Sequence, residues 1–134
     1  TLKQLGSDHI LVVHSEDGMD EISVSAKTFI AELKNKEIDS YEISPTDFGI
    51  QIFDLKDLSV ENTDESLALM KSVFNNNNDA AKAIVSLNAG AAIYASGISD
   101  SMKTGVDMAI NIIESGAAKK KFETLITHTQ SFKT

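Results

Sequence analysis

Residues 9–23 read HILVVHSEDGMDEIS. An apolar run, Ile10–Val13, feeds a polar turn, His14–Met19, which leads to the paired carboxylates Asp20 and Glu21. The run is continuous and rich in β-branched residues, the pattern of a strand buried on both faces of a parallel or mixed sheet. Asp17-Gly18 within the turn Ser15–Met19 is a strong turn dipeptide. A strand whose end opens into an acidic turn is how α/β proteins place a site at the edge of a sheet, because ligands in such folds bind outside the carboxyl ends of the strands.

Upstream, Leu2 and Leu5 followed by Gly6 predict the last turn of a helix with Gly6 as its left-handed terminator. Such a short helix does not nucleate alone, and no initiator Met precedes it. The expectation is a piece of a longer protein. Helix, glycine, short loop and buried strand in that order make half of an α/β unit.

Downstream, Ile22–Ser25 alternates Ile, Ser, Val, Ser and predicts a strand with one buried face. Thr28–Leu33 and Glu37–Ser44 alternate on either side of Asn35-Lys36 and predict an antiparallel hairpin. Pro45–Gly49 reads as a turn or a single helical turn ending the hairpin, and Gln51–Val60, with no clean period, as an ordered loop.

From Thr63 the period becomes helical. Thr63 is the expected N-cap, with Asp64 and Glu65 favoured in the first turn by the helix dipole, and Leu67, Met70 and Phe74 form the apolar stripe. Asn75–Asn78 is a polar connection, with Asn78 or Asp79 capping a second helix over Ala80–Ala95. Ile84, Leu87, Ala91 and Tyr94 share one face of it. Gly90 costs about 1 kcal/mol against Ala in mid-helix, which points to a close approach at the narrow stretch Ala89–Ala92. Gly97 ends this helix. Ser99 or Asp100 is expected to cap a third, with Val106, Ile110 and Ile113 inward and Gly116 closing it. A fourth runs from about Ala117, with Phe122, Leu125 and Ile126 inward and Lys119–Lys121 outward. Strands in the first half and four helices in the second define an α/β class, part of a mixed-sheet domain.

The whole chain has 134 residues, the size of one domain, and 42% hydrophobic residues, enough for a core. Its net charge of −8 argues against non-specific nucleic-acid binding, which needs clustered Lys and Arg. A small anionic substrate stays open, since a bound cation or a helix N-terminus supplies local positive field. There is no cysteine, so disulfides, thiolate chemistry and Cys-based zinc sites are excluded. No apolar run approaches the roughly 20 residues of a membrane span, and no signal peptide is visible. A soluble, cytoplasmic domain is expected, with neither nucleic acid nor membrane as partner.

Asp20 and Glu21 are the candidate ligands for a hard cation such as Mg²⁺, which takes one or two carboxylates plus substrate phosphates. Adjacent residues of a regular strand point to opposite faces. Both acids serve one ion only where the backbone is irregular; otherwise they serve two ions, or one acts through water. A DE pair alone is a weak signal whose plain reading is an exposed turn. Glu16 and Asp17 read as turn acids. His14, at the strand end, suits either contact with a phosphate, proton transfer, or a hydrogen bond into the turn; His9 and His128 read as structural or exposed. There is no G-x-S-x-G, P-loop or G-x-G-x-x-G, hence no phosphate cradle in this chain.

Taken together, LGSDHILVVHSEDGMDEIS, ELKNKEIDSYEISPTDFGI, AAKAIVSLNAGAAIYASG, the SMKTGVDMA helix and IESGAAKKKFETL resemble the C-terminal part of the anthranilate phosphoribosyltransferase family, in its order and spacing. Ser15 stands where that family usually has glycine, and Met19 where leucine is usual. The resemblance implies the nucleoside phosphorylase/phosphoribosyltransferase fold and, for the parent, transfer of a phosphoribosyl group from phosphoribosyl pyrophosphate to anthranilate in tryptophan biosynthesis. It implies Mg²⁺ on Asp20 and Glu21. It further implies that residues 1–134 are the C-terminal part of the α/β domain, lacking the first strands and the N-terminal helical domain through which the parent forms a homodimer. The glycine-rich diphosphate loop and most anthranilate-binding residues lie upstream in the family, so this chain alone is expected to be inactive. The rival readings are a pyrimidine nucleoside phosphorylase of the same fold and a non-enzymatic assembly or regulatory module.

Overall fold

A computed structural model describes residues 2–132. Three strands, β1 (His9–Ser15), β2 (Thr28–Lys34) and β3 (Glu37–Ile43), precede four helices, α1 (Thr63–Phe74), α2 (Asp79–Ala95), α3 (Met102–Glu114) and α4 (Ala117–Gln130). Short 3₁₀ turns cover Leu2–Leu5, Pro45–Phe48 and Leu55–Leu58. The strands form one antiparallel sheet in the order β1-β2-β3, with Ser15 opposite Thr28 at one end and His9 opposite Lys34 at the other. The expected hairpin is present: Lys34 pairs with Glu37 across Asn35 and Lys36. Both turn residues take positive φ, 52° and 66°, the two-residue geometry that matches the strand twist.

The α/β layout follows the expectation, but β1 departs from it in detail. Among the described residues its sheet is antiparallel throughout, and Val12 is 53% exposed. Leu11 and Val13 pack on the core while Val12 and His14 point the other way, so among the described residues the run is covered on one face only.

The second departure is Ile22–Ser25, which is not a strand. Ile22, Ser23 and Val24 are all buried, so the alternation does not separate two faces. Their backbone groups bond to side chains and to one loop amide rather than to a ladder, as described below.

The core lies between the inner face of the sheet and α2, where Ile30, Leu87, Val24 and Val106 are fully buried. The α2 face reads as expected: Ile84, Leu87 and Ala91 are buried and Tyr94 partly so. Gly90 explains itself. A Cβ there would lie 2.5 Å from the backbone of Val106, and one on Gly105 would lie 2.3 Å from the carbonyl oxygen of Gly90. α2 and α3 therefore cross at backbone contact, which only glycine at both positions permits.

Caps shift by one or two residues. Asn62, not Thr63, accepts from the Glu65 amide at the start of α1, Asn78 caps α2 as expected, and Ser101, not Ser99 or Asp100, caps α3. The outer helices are less buried than their stripes imply. Leu67 and Met70 of α1 are exposed, as are Leu125 and Ile126 of α4, which has no buried residue. Phe122 does pack inward, stacked on Phe74 with ring centroids 5.0 Å apart.

Candidate functional site

The acidic pair sits on the irregular segment that connects β1 to β2. The segment begins as a tight turn: the Gly18 amide donates to the Ser15 carbonyl (2.9 Å) and the Ser15 amide to the Met19 carbonyl (3.1 Å). Gly18, at φ +91°, supplies the left-handed residue that this turn needs. Glu16 is tied back to the start of β2 through its amide and the Lys27 carbonyl, 2.9 Å.

Inside this frame lies a knot of hydroxyl groups. Ser15 is fully buried; its Oγ donates to the Glu21 carbonyl at 2.7 Å and meets Thr28 Oγ1 at 2.8 Å. The Ser23 amide donates to both oxygens at 3.2 Å. Asp17 closes the turn: its carboxylate accepts from Ser23 Oγ (2.5 Å), from Ser25 Oγ and from the Met19 amide (3.2 Å). Burial works against the Asp17 charge, but these hydrogen bonds outweigh it and hold the carboxyl below its usual range. Asp17 is thus the turn acid that its sequence position suggested. Ser15 contributes the central hydroxyl of the knot.

Neither acid of the pair belongs to this knot by its side chain. Asp20 is exposed, whereas Glu21 is half-buried and faces an apolar cleft of about 390 Å³ lined by Met19, Leu58, Met70, Phe74 and Ile84 among others. Burial, and then the neighbouring Asp20 charge, push the Glu21 carboxyl above its ordinary value. Among the described residues an ionised Glu21 has no cationic partner, and a bound cation would offset both effects. The backbone at residues 20–21 is bent rather than extended, so the alternation that separates neighbouring side chains in a strand does not apply. Among the described residues no three His, Cys, Asp or Glu side chains gather as a metal cluster. The chain therefore offers two hard oxygen donors and not a closed cage. That set fits Mg²⁺ completed by water and phosphate oxygens, and does not fit a structural zinc.

The histidines do not join the pair as a group. His14 is exposed at the end of β1. His9 lies at the opposite end of the strand, bonded to Glu32 at 2.9 Å and edge-on to Tyr94, and His128 packs edge-on against Phe132. The residue that the sequence did not single out is Asn88 of α2, whose carboxamide bonds both backbone groups of Ile22 at 2.9 Å. A polar side chain inside a small-residue helix was the available signal.

Comparison with known proteins places this strand-end acidic loop and small-residue helix in a known class. The chain belongs to the family described as glycosyl transferase family, a/b domain, whose model matches residues 1–119. An anthranilate phosphoribosyltransferase from Marinomonas sp. (strain MWYL1) is 50% identical over 133 residues, covering 98% of this chain and 38% of that protein. The one from Vesicomyosocius okutanii is 47% identical over 125 residues, 93% of this chain and 37% of its own length. Among solved structures, anthranilate phosphoribosyltransferase from Thermus thermophilus superposes with TM-score 0.84 at 29% identity, over 94% of this chain and 37% of that one. The Saccharomyces cerevisiae enzyme in complex with PRPP and Mg shares the fold, TM-score 0.78 at 21% identity, over 92% of this chain and 36% of that one. The chain thus spans about 38% of the length of the Marinomonas relative. No helix among the described residues is long and apolar enough to cross a membrane.

Proposed function

We propose that this chain is the C-terminal part of the α/β domain of an anthranilate phosphoribosyltransferase, a cytoplasmic enzyme of tryptophan biosynthesis, and that Asp20 and Glu21 are its Mg²⁺-binding residues. One observation carries the reading: 98% of the chain aligns at 50% identity with a protein of that name. The site chemistry is consistent with it. Two oxygen donors on an anchored, irregular loop suit an ion shared with a diphosphate.

In the proposed reaction the anthranilate amine attacks the anomeric carbon of phosphoribosyl pyrophosphate. The bond from that carbon to the pyrophosphate oxygen breaks, pyrophosphate departs, and the amine loses a proton. Mg²⁺, when bound, screens the negative charge that grows on the leaving group. Asp20 supplies an exposed carboxylate for it, and Glu21 a partly desolvated one beside the cleft. The helical domain, the glycine-rich diphosphate loop, most anthranilate contacts and the homodimer interface belong, on this reading, to the remaining length seen in the relatives. The 134-residue chain alone then has no transferase activity.

The experiment is a chimera in which this chain replaces the matching segment of the Marinomonas protein. The reading predicts loss of anthranilate fluorescence that requires both phosphoribosyl pyrophosphate and Mg²⁺. A soluble chimera that leaves anthranilate untouched, while the Marinomonas parent works, would overturn the reading and favour an assembly or regulatory role.

A further inference from the structure

We infer that Asn88 is a positioning residue for the acidic pair, a clamp reaching from α2 that sets the direction of Glu21. The inference rests on the metal reading above.

The peptide bond joining Glu21 to Ile22 is held at both of its polar atoms by different elements. Its carbonyl oxygen accepts from Ser15 Oγ at the end of β1, 2.7 Å. Its amide donates to Asn88 Oδ1 on α2, 2.9 Å. Asn88 Nδ2 then donates to the Ile22 carbonyl (2.9 Å) and to the Ile84 carbonyl one turn back in its own helix (3.0 Å). The carboxamide thus gives Ile22 both bonds that a neighbouring strand would give, where no strand runs. The third bond fixes the carboxamide itself.

The arrangement is costly to undo locally. Ile22 is 2% exposed, and buried backbone groups left without partners lose stability. Asn is a poorer helix former than Ala, and in mid-helix it commonly turns to solvent; here it turns inward. An acidic pair on an irregular loop has no ladder to aim it, and in metal sites the supporting hydrogen bonds take over that task. With the peptide plane between β1 and α2 fixed, one of the two planes that set the direction of Glu21 is held, and its side chain lines the cleft.

The test uses the 134-residue chain with pyrophosphate, whose oxygens complete the coordination, and Mn²⁺ as a paramagnetic probe in ¹H–¹⁵N NMR. Asn88→Leu keeps the branched shape and heavy-atom count of the side chain and removes all three bonds. Ala109→Gly, in α3 and away from the loop, serves as a destabilised control. Wild type should show broadening centred on Asp20 and Glu21. Asn88→Leu should keep the dispersed signals of α2 and α3 yet bind Mn²⁺ about tenfold more weakly, while Ala109→Gly binds as wild type. A folded Asn88→Leu with wild-type affinity, or an equal weakening in Ala109→Gly, overturns the inference. Should Asn88→Leu fail to fold, hydrogen exchange of wild type decides. An Ile22 amide as protected as those of α2 supports the clamp, and one exchanging like a free loop amide rejects it. If Mn²⁺ leaves Asp20 and Glu21 unbroadened in wild type, the metal reading fails. The clamp is then judged by ¹⁵N relaxation: increased motion at Glu21 in Asn88→Leu upholds it, and unchanged motion removes it.

Discussion

Helix α2 reaches the strands and the acidic loop with side-chain hydrogen bonds at two points, by opposite means. Near its middle, Asn88 bonds to the backbone of the acidic loop. Near its end, Tyr94 bonds to a side chain, Glu32 of β2, at 2.7 Å. Glu32 also accepts from Tyr41 of β3 (2.7 Å) and from His9 of β1 (2.9 Å), while Lys34 reaches the Tyr94 hydroxyl at 3.0 Å and sits over its ring. The Tyr94 end ties all three strands to the helix through one partly buried carboxylate. The Asn88 end directs its hydrogen bonds to backbone, and among the described residues it leaves the Asp20 and Glu21 carboxylates without side-chain partners. A carboxylate surrounded by donors braces a fold; one whose backbone is fixed but whose side chain is unpartnered is available for a ligand.

Because Gly90 lies between the two grips, Gly90→Ala should disturb both. The gain in helix propensity, about 1 kcal/mol, is outweighed by a Cβ placed against the Val106 backbone. A net loss of about 3 kcal/mol in denaturant unfolding is expected, in the range of overpacked cores. A neutral or stabilising result would show that α2 and α3 separate freely.

Glu32→Gln should affect the Tyr94 end alone, by about 2 kcal/mol, the scale of hydrogen bonds to a charged acceptor. Burial works against the Glu32 charge, but the bonds from Tyr94, Tyr41 and His9 outweigh it and hold the carboxyl below its ordinary value of 4.5. The folded state therefore binds this proton less readily than the unfolded state. The contribution is present in full above the unfolded value and disappears as pH falls through the lower folded one. Unfolding titrations from neutral pH downward should show wild type losing its advantage over Glu32→Gln in that acid window. Parallel curves would contradict the assignment.

Ser15→Ala, at the loop end, should cost less, about 1 kcal/mol, since the Ser23 amide keeps Thr28 Oγ1 as acceptor. Its signature should be local: faster exchange at Ser23, with the Glu32 cluster unchanged. Equal loosening at both ends would mean that the two grips act as one network.

The sequence disclosed these two regions unequally. The hairpin was legible because alternation and a two-residue turn both act on neighbours in sequence. The glycine at position 90 was legible because its helix cost demands a packing reason. The acids were visible as residue types, but their setting was not. Ile22–Ser25 alternates as a strand does, yet its partners are Ser15, Thr28, Phe53 and Asn88, and periodicity carries no record of side chains that reach backbone across 66 residues. For the same reason the stripe on α4 showed which face is apolar and not that Leu125 and Ile126 stay exposed. Amphipathicity names a face without naming its cover.

On the proposed function, Asp20 and Glu21 hold the ion used in phosphoribosyl transfer. The most direct measurement is the Mg²⁺ dependence of anthranilate consumption by the chimera, with and without Asp20→Asn and Glu21→Gln together. A large fall in rate and at least about a tenfold rise in the Mg²⁺ needed for half-maximal turnover are expected, with partial recovery at high Mg²⁺. A folded double variant with the same rate and the same Mg²⁺ requirement would contradict it.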